Sequence, residues 1–181
     1  RYEYPHDVVQ VTDIGRYLDS FVAHVPGGAA GFTWTTHVGG HPPGALLAFV
    51  VLDRVGLAGP GWAAAVCIAF GASAVPAVLV TMRVLSGGGA ARRAAPFLVL
   101  APTALWVASS ADAMFCGVAA WGVAALAVSA SRAGRKGDGL AITGGALLGA
   151  TLMLSYGLVL LCLVAIAAVL VQRRLRPLLV G

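Results

Sequence analysis

Charge is what this sequence has least of. Asp, Glu, Lys and Arg together make 10% of its 181 residues, against 59% hydrophobic residues and a mean hydropathy of +0.89. A water-soluble domain with that balance would be left with apolar surface exposed after folding, so lipid is the expected solvent. Cysteine is scarce as well. Cys67, Cys116 and Cys162 each lie inside an apolar run, where a thiol behaves as a small hydrophobe and has no obvious partner for a disulfide or a metal. There is no G-x-S-x-G, Walker or dinucleotide-binding pattern, and no HExxH. The Gly87, Gly88, Gly89 run has neither a preceding strand nor a following Lys-Ser/Thr, and reads as a flexible linker. His37 and His41 are four apart, but Gly39, Gly40 and Pro42 oppose the helix that would present both as metal ligands, so no metal site is expected from these residues. The net charge of +5 does not indicate nucleic acid either, because the basic residues sit in short loops between apolar runs and not on one face interleaved with aromatics.

What the chain does have is long apolar stretches. Residues 61–82, 94–109, 113–131, 140–154 and 157–171 are candidate spanning helices, the last two short against the about 20 residues a span needs. Nine of the twelve basic residues form three clusters in alternate loops: Arg83, Arg92 and Arg93; Arg132, Arg135 and Lys136; Arg173, Arg174 and Arg176. Basic residues are retained on the cytoplasmic side of a membrane, so the loops at 110–112 and 155–156, and all of residues 1–60, fall outside. Six of the seven acidic residues (Glu3, Asp7, Asp13, Asp19, Asp53, Asp112) and all four histidines (His6, His24, His37, His41) then share the outer side, and Asp138 lies inside. Trp62, Trp106 and Tyr156 land near outer helix ends, where an amphipathic ring bridges lipid and water. We expect an all-α chain: an extracytoplasmic juxtamembrane loop over residues 1–60, then a five-helix polytopic bundle over 61–181, multi-pass in the plasma membrane. The chain opens at Arg1 with no basic-then-apolar leader, and we expect a longer parent protein.

In the outer segment, apolar residues recur at Val8, Val11, Ile14, Leu18, Phe21, Val22 and Val25, the spacing of one helix face, with Pro26, Gly27 and Gly28 as its stop. The opposite stripe carries Asp13, Arg16, Tyr17, Ser20 and His24, either a solvated face or one aimed at a substrate. Residues 43–57 are apolar but too short to span, with Asp53 and Arg54 near their end, and read as an interfacial or re-entrant helix. His41, Pro42, Pro43 and Gly44 mark its start. The exposed amides there would suit an anion such as phosphate with His41 beside it, or the motif is only a helix-start signal. Asp112, after Ser109, Ser110 and Ala111, is placed either to cap the next helix or to line a site.

The order of these features resembles the C-type glycosyltransferase superfamily, in particular its protein mannosyltransferase and aminoarabinose transferase branch. The resemblance is carried by Asp13, Ile14, Gly15, Arg16 and Tyr17, by the proline motif from His41 to Gly44, by Asp112 in its outer turn, and by Ser155, Tyr156 and Gly157, where relatives often carry Thr-Lys-Gly. It implies transfer of a sugar from a polyprenyl-phosphate donor, with inversion, in the cell envelope. Asp13 would be the catalytic base, with Asp7 its rival. Arg16, His41, Asp112 and Tyr156 would bind substrate, and outer-loop cations or a divalent metal would stabilise the departing lipid phosphate. The other classes the sequence allows are a transporter, for which Pro76, Pro96 and Pro102 offer kink points, and a non-catalytic membrane scaffold. Because the family's first helix and any C-terminal outer domain lie beyond these 181 residues, the segment alone is expected to show no sugar transfer in a donor-to-acceptor assay.

Overall fold

A computed structural model describes residues 4–25 and 31–181; the expected helix stop at 26–28 and the outer-side Glu3 lie outside the described residues. The described residues are helical or in turns, with no strand among them. The chain divides into two compact units, one of residues 1–65 with Leu152–Tyr156, the other of Val66–Thr151 with Gly157–Gly181.

In the first unit the expected continuous helix from Val8 to Val25 is interrupted. A 3-10 turn over Val8–Gln10 is followed by α1 (Ile14–Ser20) and a second 3-10 turn over Phe21–His24. The cause is Asp13, which is extended (φ −128°, ψ 125°) and accepts the Arg16 N–H at 2.7 Å. An Asp side chain that competes for a backbone donor starts a helix in preference to continuing one. The buried face changes accordingly. Val8, Val11, Tyr17 and Phe21 are buried, whereas Val9, Leu18 and Val22 are exposed, so Tyr17 belongs to the core and not to the polar stripe. A single turn, α2 (Thr36–Gly39), leads to α3 (Gly44–Arg54), whose Ala45, Leu46, Phe49 and Val50 are buried. At 11 residues α3 is about 17 Å long, about half of the hydrocarbon thickness. Its start rests against Met153, into which a Cβ at Gly44 would run, and its last side chain, Arg54, donates to the Thr12 carbonyl at 3.1 Å.

The second unit carries the long helices. α4 (Pro60–Val99) runs 40 residues and leaves helical geometry only at Gly87 (φ 83°, ψ 164°), a left-handed conformation that a side chain would strain. The expected linker at Gly87–Gly89 therefore reduces to one residue. The expected span over 94–109 is also corrected. Helix ends at Val99, Ala101 is extended (ψ 133°), and Pro102–Trp106 form a 3-10 turn, because the ring of Pro102 disfavours helical geometry in the residue before it. α5 (Asp112–Ala130), α6 (Arg135–Leu152), α7 (Val159–Leu170) and α8 (Arg176–Val180) complete the unit. Among the described residues two helices, α4 and α5, are long and apolar enough to cross a membrane. α6 begins with Arg135, Lys136 and Asp138, and α7 has 12 residues.

α5 is the centre of this unit. Its small residues Gly117, Ala119, Gly122, Ala124, Ala127 and Ala130 are buried, and they let neighbouring backbones close in: a Cβ on Gly117 would strike the Phe70 carbonyl, and one on Gly122 would come within 2.9 Å of Leu148. Val123 and Leu126 of α5 pack with Ala141 and Leu148 of α6 and with Ala165 and Val169 of α7. Gln172 donates to the Ala127 carbonyl at 3.0 Å, Trp121 Nε1–H to Ser73 Oγ at 3.2 Å, and the buried Ser129 hydroxyl to the Gly137 carbonyl at 2.8 Å. The large side chains point the other way. Val159, Leu160, Leu163 and Val164 of α7 are all more than half exposed.

Gly144 lies opposite Gly122, 2.9 Å from an added Cβ to the Gly122 carbonyl, whereas Gly139, one turn earlier on α6, faces open space. Gly144→Val should lower stability by about 1–3 kcal/mol through overpacking, while Gly139→Ala should be neutral or stabilising; denaturation midpoints in detergent will check both.

Candidate functional site

Among the residues singled out from the sequence, Asp7, Asp13, Arg16, His41 and Tyr156 lie in the first unit and Asp112 lies in the second. The two aspartates proposed as alternatives have opposite surroundings. Asp7 joins the 3-10 turns Tyr4–His6 and Val8–Gln10 and is 2% exposed. One of its carboxylate oxygens accepts both the Thr35 N–H (3.1 Å) and the Thr35 hydroxyl (2.7 Å); the other is 3.2 Å from His6 Nδ1. A buried carboxylate is tolerable only with such donors. Asp13 is exposed, and besides the Arg16 N–H its oxygens face solvent. Arg16 is one helical turn on and exposed, with its guanidinium in no ion pair among the described residues.

Around Asp7 the first unit gathers a set of rings. Tyr4 is buried, donates its hydroxyl to the His37 carbonyl (3.3 Å), stacks on Phe49 at 5.2 Å and meets His41 edge-on at 6.0 Å. His41 Nδ1 lies 2.8 Å from the His37 carbonyl; a carbonyl only accepts, so this nitrogen carries the proton. Histidines 37 and 41 are thus tied through a backbone bond, with α2 ending at Gly39 between them. Among the described residues no three His, Cys, Asp or Glu side chains converge as a metal ligand set. Tyr17 donates to the Pro43 carbonyl at the start of α3 (3.1 Å). Burial, and secondarily the negative charge of Asp7, push its phenol well above its ordinary value. Trp34 packs against Tyr17 (5.3 Å) and Phe32 (5.1 Å), and its buried indole N–H has no acceptor among the described residues. Tyr156, at the turn after Leu152, is exposed at 63%.

In the second unit Asp112 is the first residue of α5. The Ser110 hydroxyl donates to its carboxylate (3.0 Å) and accepts its N–H (3.2 Å), while the N-cap position is Ala111, with no side-chain cap, so the capping expected of Asp112 is not found. Asp112 and Ser110 form the polar end of a cavity of about 660 Å³ whose walls are apolar, among them Val75, Pro76, Leu98, Trp106 and Val107. The break at Leu100–Pro102 lies along this cavity. Neither the cavity nor Thr35 was foreseen: a Thr in a Trp-Thr-Thr run has no spacing that marks it as a carboxylate's partner, and a cavity made by a broken helix is invisible to hydropathy. No family profile, curated protein or solved structure matches the chain.

Asp7→Ala would leave two Thr35 donors unpaired and should destabilise the first unit by about 1–3 kcal/mol. Tyr17 gives a pH signature. Its folded value lies above the unfolded value near 10, so its contribution to stability is intact below about pH 10 and is lost as the pH rises above it, when the unfolded chain gives up the proton first. Thermal melts between pH 8 and 11.5 should fall more steeply in the wild type than in Tyr17→Phe.

Proposed function

We propose that this chain is part of a polytopic membrane glycosyltransferase that transfers a sugar from a polyprenyl-phosphate donor to an acceptor hydroxyl at the outer membrane face. The observation that carries the reading is the exposed pair on α1: a carboxylate, Asp13, fixed in orientation by its N-cap bond, and a cation, Arg16, one turn further on. A base must reach its substrate, and Asp7 is sealed behind Thr35, so Asp13 is the base and Asp7 positions the segment that carries it. Asp13 takes the proton of the acceptor hydroxyl as that oxygen bonds to the sugar's anomeric carbon. The bond from that carbon to the phosphate oxygen breaks on the opposite side, with inversion, and Arg16 stabilises the phosphate that leaves.

The distribution of apolar groups supports the membrane half of the reading. Small residues lie inside, and Val, Leu and Ile side chains cover the outside of α7, as expected where lipid and not water is the solvent. The break at Leu100–Pro102 is of a kind tolerated at membrane depth when it lines a cavity, and this one does. The cavity, apolar with Asp112 at its polar end, has room for an apolar chain. The same break and cavity favour the alternative of a transporter, in which discontinuous helices form the substrate path.

Transfer from a polyprenyl-phosphate-linked sugar, measured in membranes carrying the full-length protein, tests the reading. Asn caps a helix as well as Asp, so Asp13→Asn should fold normally and lose about 100-fold or more of the rate. Asp7→Asn should lose stability and activity together. Wild-type transfer that survives Asp13→Asn overturns Asp13 as the base, and no wild-type transfer with any donor, alongside substrate-dependent flux in vesicles, favours the transporter.

A further inference from the structure

At the other end of the second unit, α5 ends, α6 begins and α7 gives way to α8 around a small cleft. Its volume is about 140 Å³, and it is lined by Ser129, Arg132, Gly134, Asp138, Arg174 and Arg176 among others. That is below the about 300–1,000 Å³ of pockets that hold drug-sized molecules, so an occupant must be a small ion or a headgroup. Three arginines and one carboxylate line it. Asp138 engages only Arg176, through two bonds in parallel: Arg176 Nε–H to one oxygen (2.8 Å) and Nη2–H to the other (2.7 Å). Among the described residues the Arg132 and Arg174 side chains have no hydrogen-bonding or ionic partner, so the cleft carries an excess of positive charge. Its backbone is set for this. Gly134 is left-handed (φ 71°) where α6 starts, and Arg173 is left-handed (φ 54°), a conformation costly for any residue with a Cβ, at the turn that delivers Arg174 and Arg176. The fork of Arg176 is the geometry that binds carboxylate and phosphate alike.

We propose that this cleft binds a phosphate group, with Arg132 and Arg174 as its permanent ligands and Asp138 as an internal competitor for Arg176. The inference is independent of the glycosyltransferase reading. The phosphate belongs either to an anionic phospholipid at the membrane face where α5 ends or to a soluble ion. Arginines next to the end of a spanning helix are suited to the first.

The test uses the full-length protein in nanodiscs of phosphatidylcholine, with or without phosphatidylglycerol. Retained phosphatidylglycerol is counted by native mass spectrometry, and inorganic phosphate is titrated into the phosphatidylcholine discs by calorimetry. Four proteins are compared: wild type, Arg174→Gln, Arg176→Gln and Asp138→Asn. The wild type should retain the anionic lipid preferentially, less so at high salt. Arg174→Gln, which breaks no internal bond, should bind about fivefold more weakly. Arg176→Gln should also weaken binding, but Asp138→Asn should strengthen it by removing the competitor. Opposite effects of the two ion-pair variants are the decisive result, since a purely structural ion pair would respond alike to loss of either partner. The same order of variants with inorganic phosphate, and no lipid preference, assigns the site to a soluble ion. No binding in either arm, binding unmoved by Arg174→Gln, or a shift in the same direction for Arg176→Gln and Asp138→Asn overturns the proposal.

Discussion

The second unit is organised by how closely α5 lets other backbones approach. At Gly117 the chain of α4 lies where a side chain would be, and at Gly122 the Leu148 side chain of α6 does. Contacts of that kind require residues without bulk, and the buried face of α5 is accordingly Gly and Ala over most of its length. The large residues are displaced outward as a consequence. Val159, Leu160 and Leu163 of α7 are more than half exposed, an apolar patch that water disfavours. Dispersion across tight backbone contacts and a few interhelical bonds, such as Trp121 to Ser73 and Gln172 to Ala127, then hold the unit together without a large apolar core.

The first unit is held differently. It has no long helix of its own, and its three short helices and 3-10 turns are pinned by side chain to backbone bonds: Asp7 to Thr35, Tyr4 to His37, Tyr17 to Pro43, Arg54 to Thr12. Each joins segments far apart in sequence, so each closes a loop whose entropy must be offset. The Asp7 carboxylate is the most exacting, because a buried charge is stable only while its donors are in place. A segment built in this way can present a fixed polar face without a deep core.

Composition made the all-helical class legible, and individual helix ends were legible wherever one residue type decides them. α5 begins at Asp112 and ends at Ala130, within a residue of the stretch expected at 113–131, and α3 starts at Gly44 directly after the two prolines. The failures have physical causes that periodicity does not register. Asp13 lies on what reads as the polar stripe of a single helix, yet its side chain captures an N–H and begins a new one. Pro102 sits in an uninterrupted apolar run, and hydropathy counts the run without noticing that Ala101 cannot be helical before it. Tyr17 looks amphipathic in the sequence, and only the Pro43 carbonyl, 26 residues away, makes its burial possible. For the candidate site, residue types were visible but their partners were not: the sequence marks Asp7 and Asp13 alike as outer aspartates, and only Thr35 separates them.

That separation bears on how such a surface could do chemistry at all. A proton acceptor and a structural anchor place contradictory demands on a carboxylate. The anchor must have its lone pairs occupied by donors that never leave, as Asp7 does with Thr35 and His6, and the acceptor must keep a lone pair open toward whatever arrives. One aspartate cannot meet both demands, and a chain with a single outer aspartate would have to trade the stability of the segment against its reactivity. Two aspartates six positions apart remove the conflict. Asp7 fixes the turn that precedes α1, and Asp13 uses one oxygen to start α1 while the other stays in solvent. The N-cap bond also restricts the rotamer of Asp13, so its open oxygen has a preferred direction, and for a group acting as a base that would lower the entropy lost on reaching a reactive geometry.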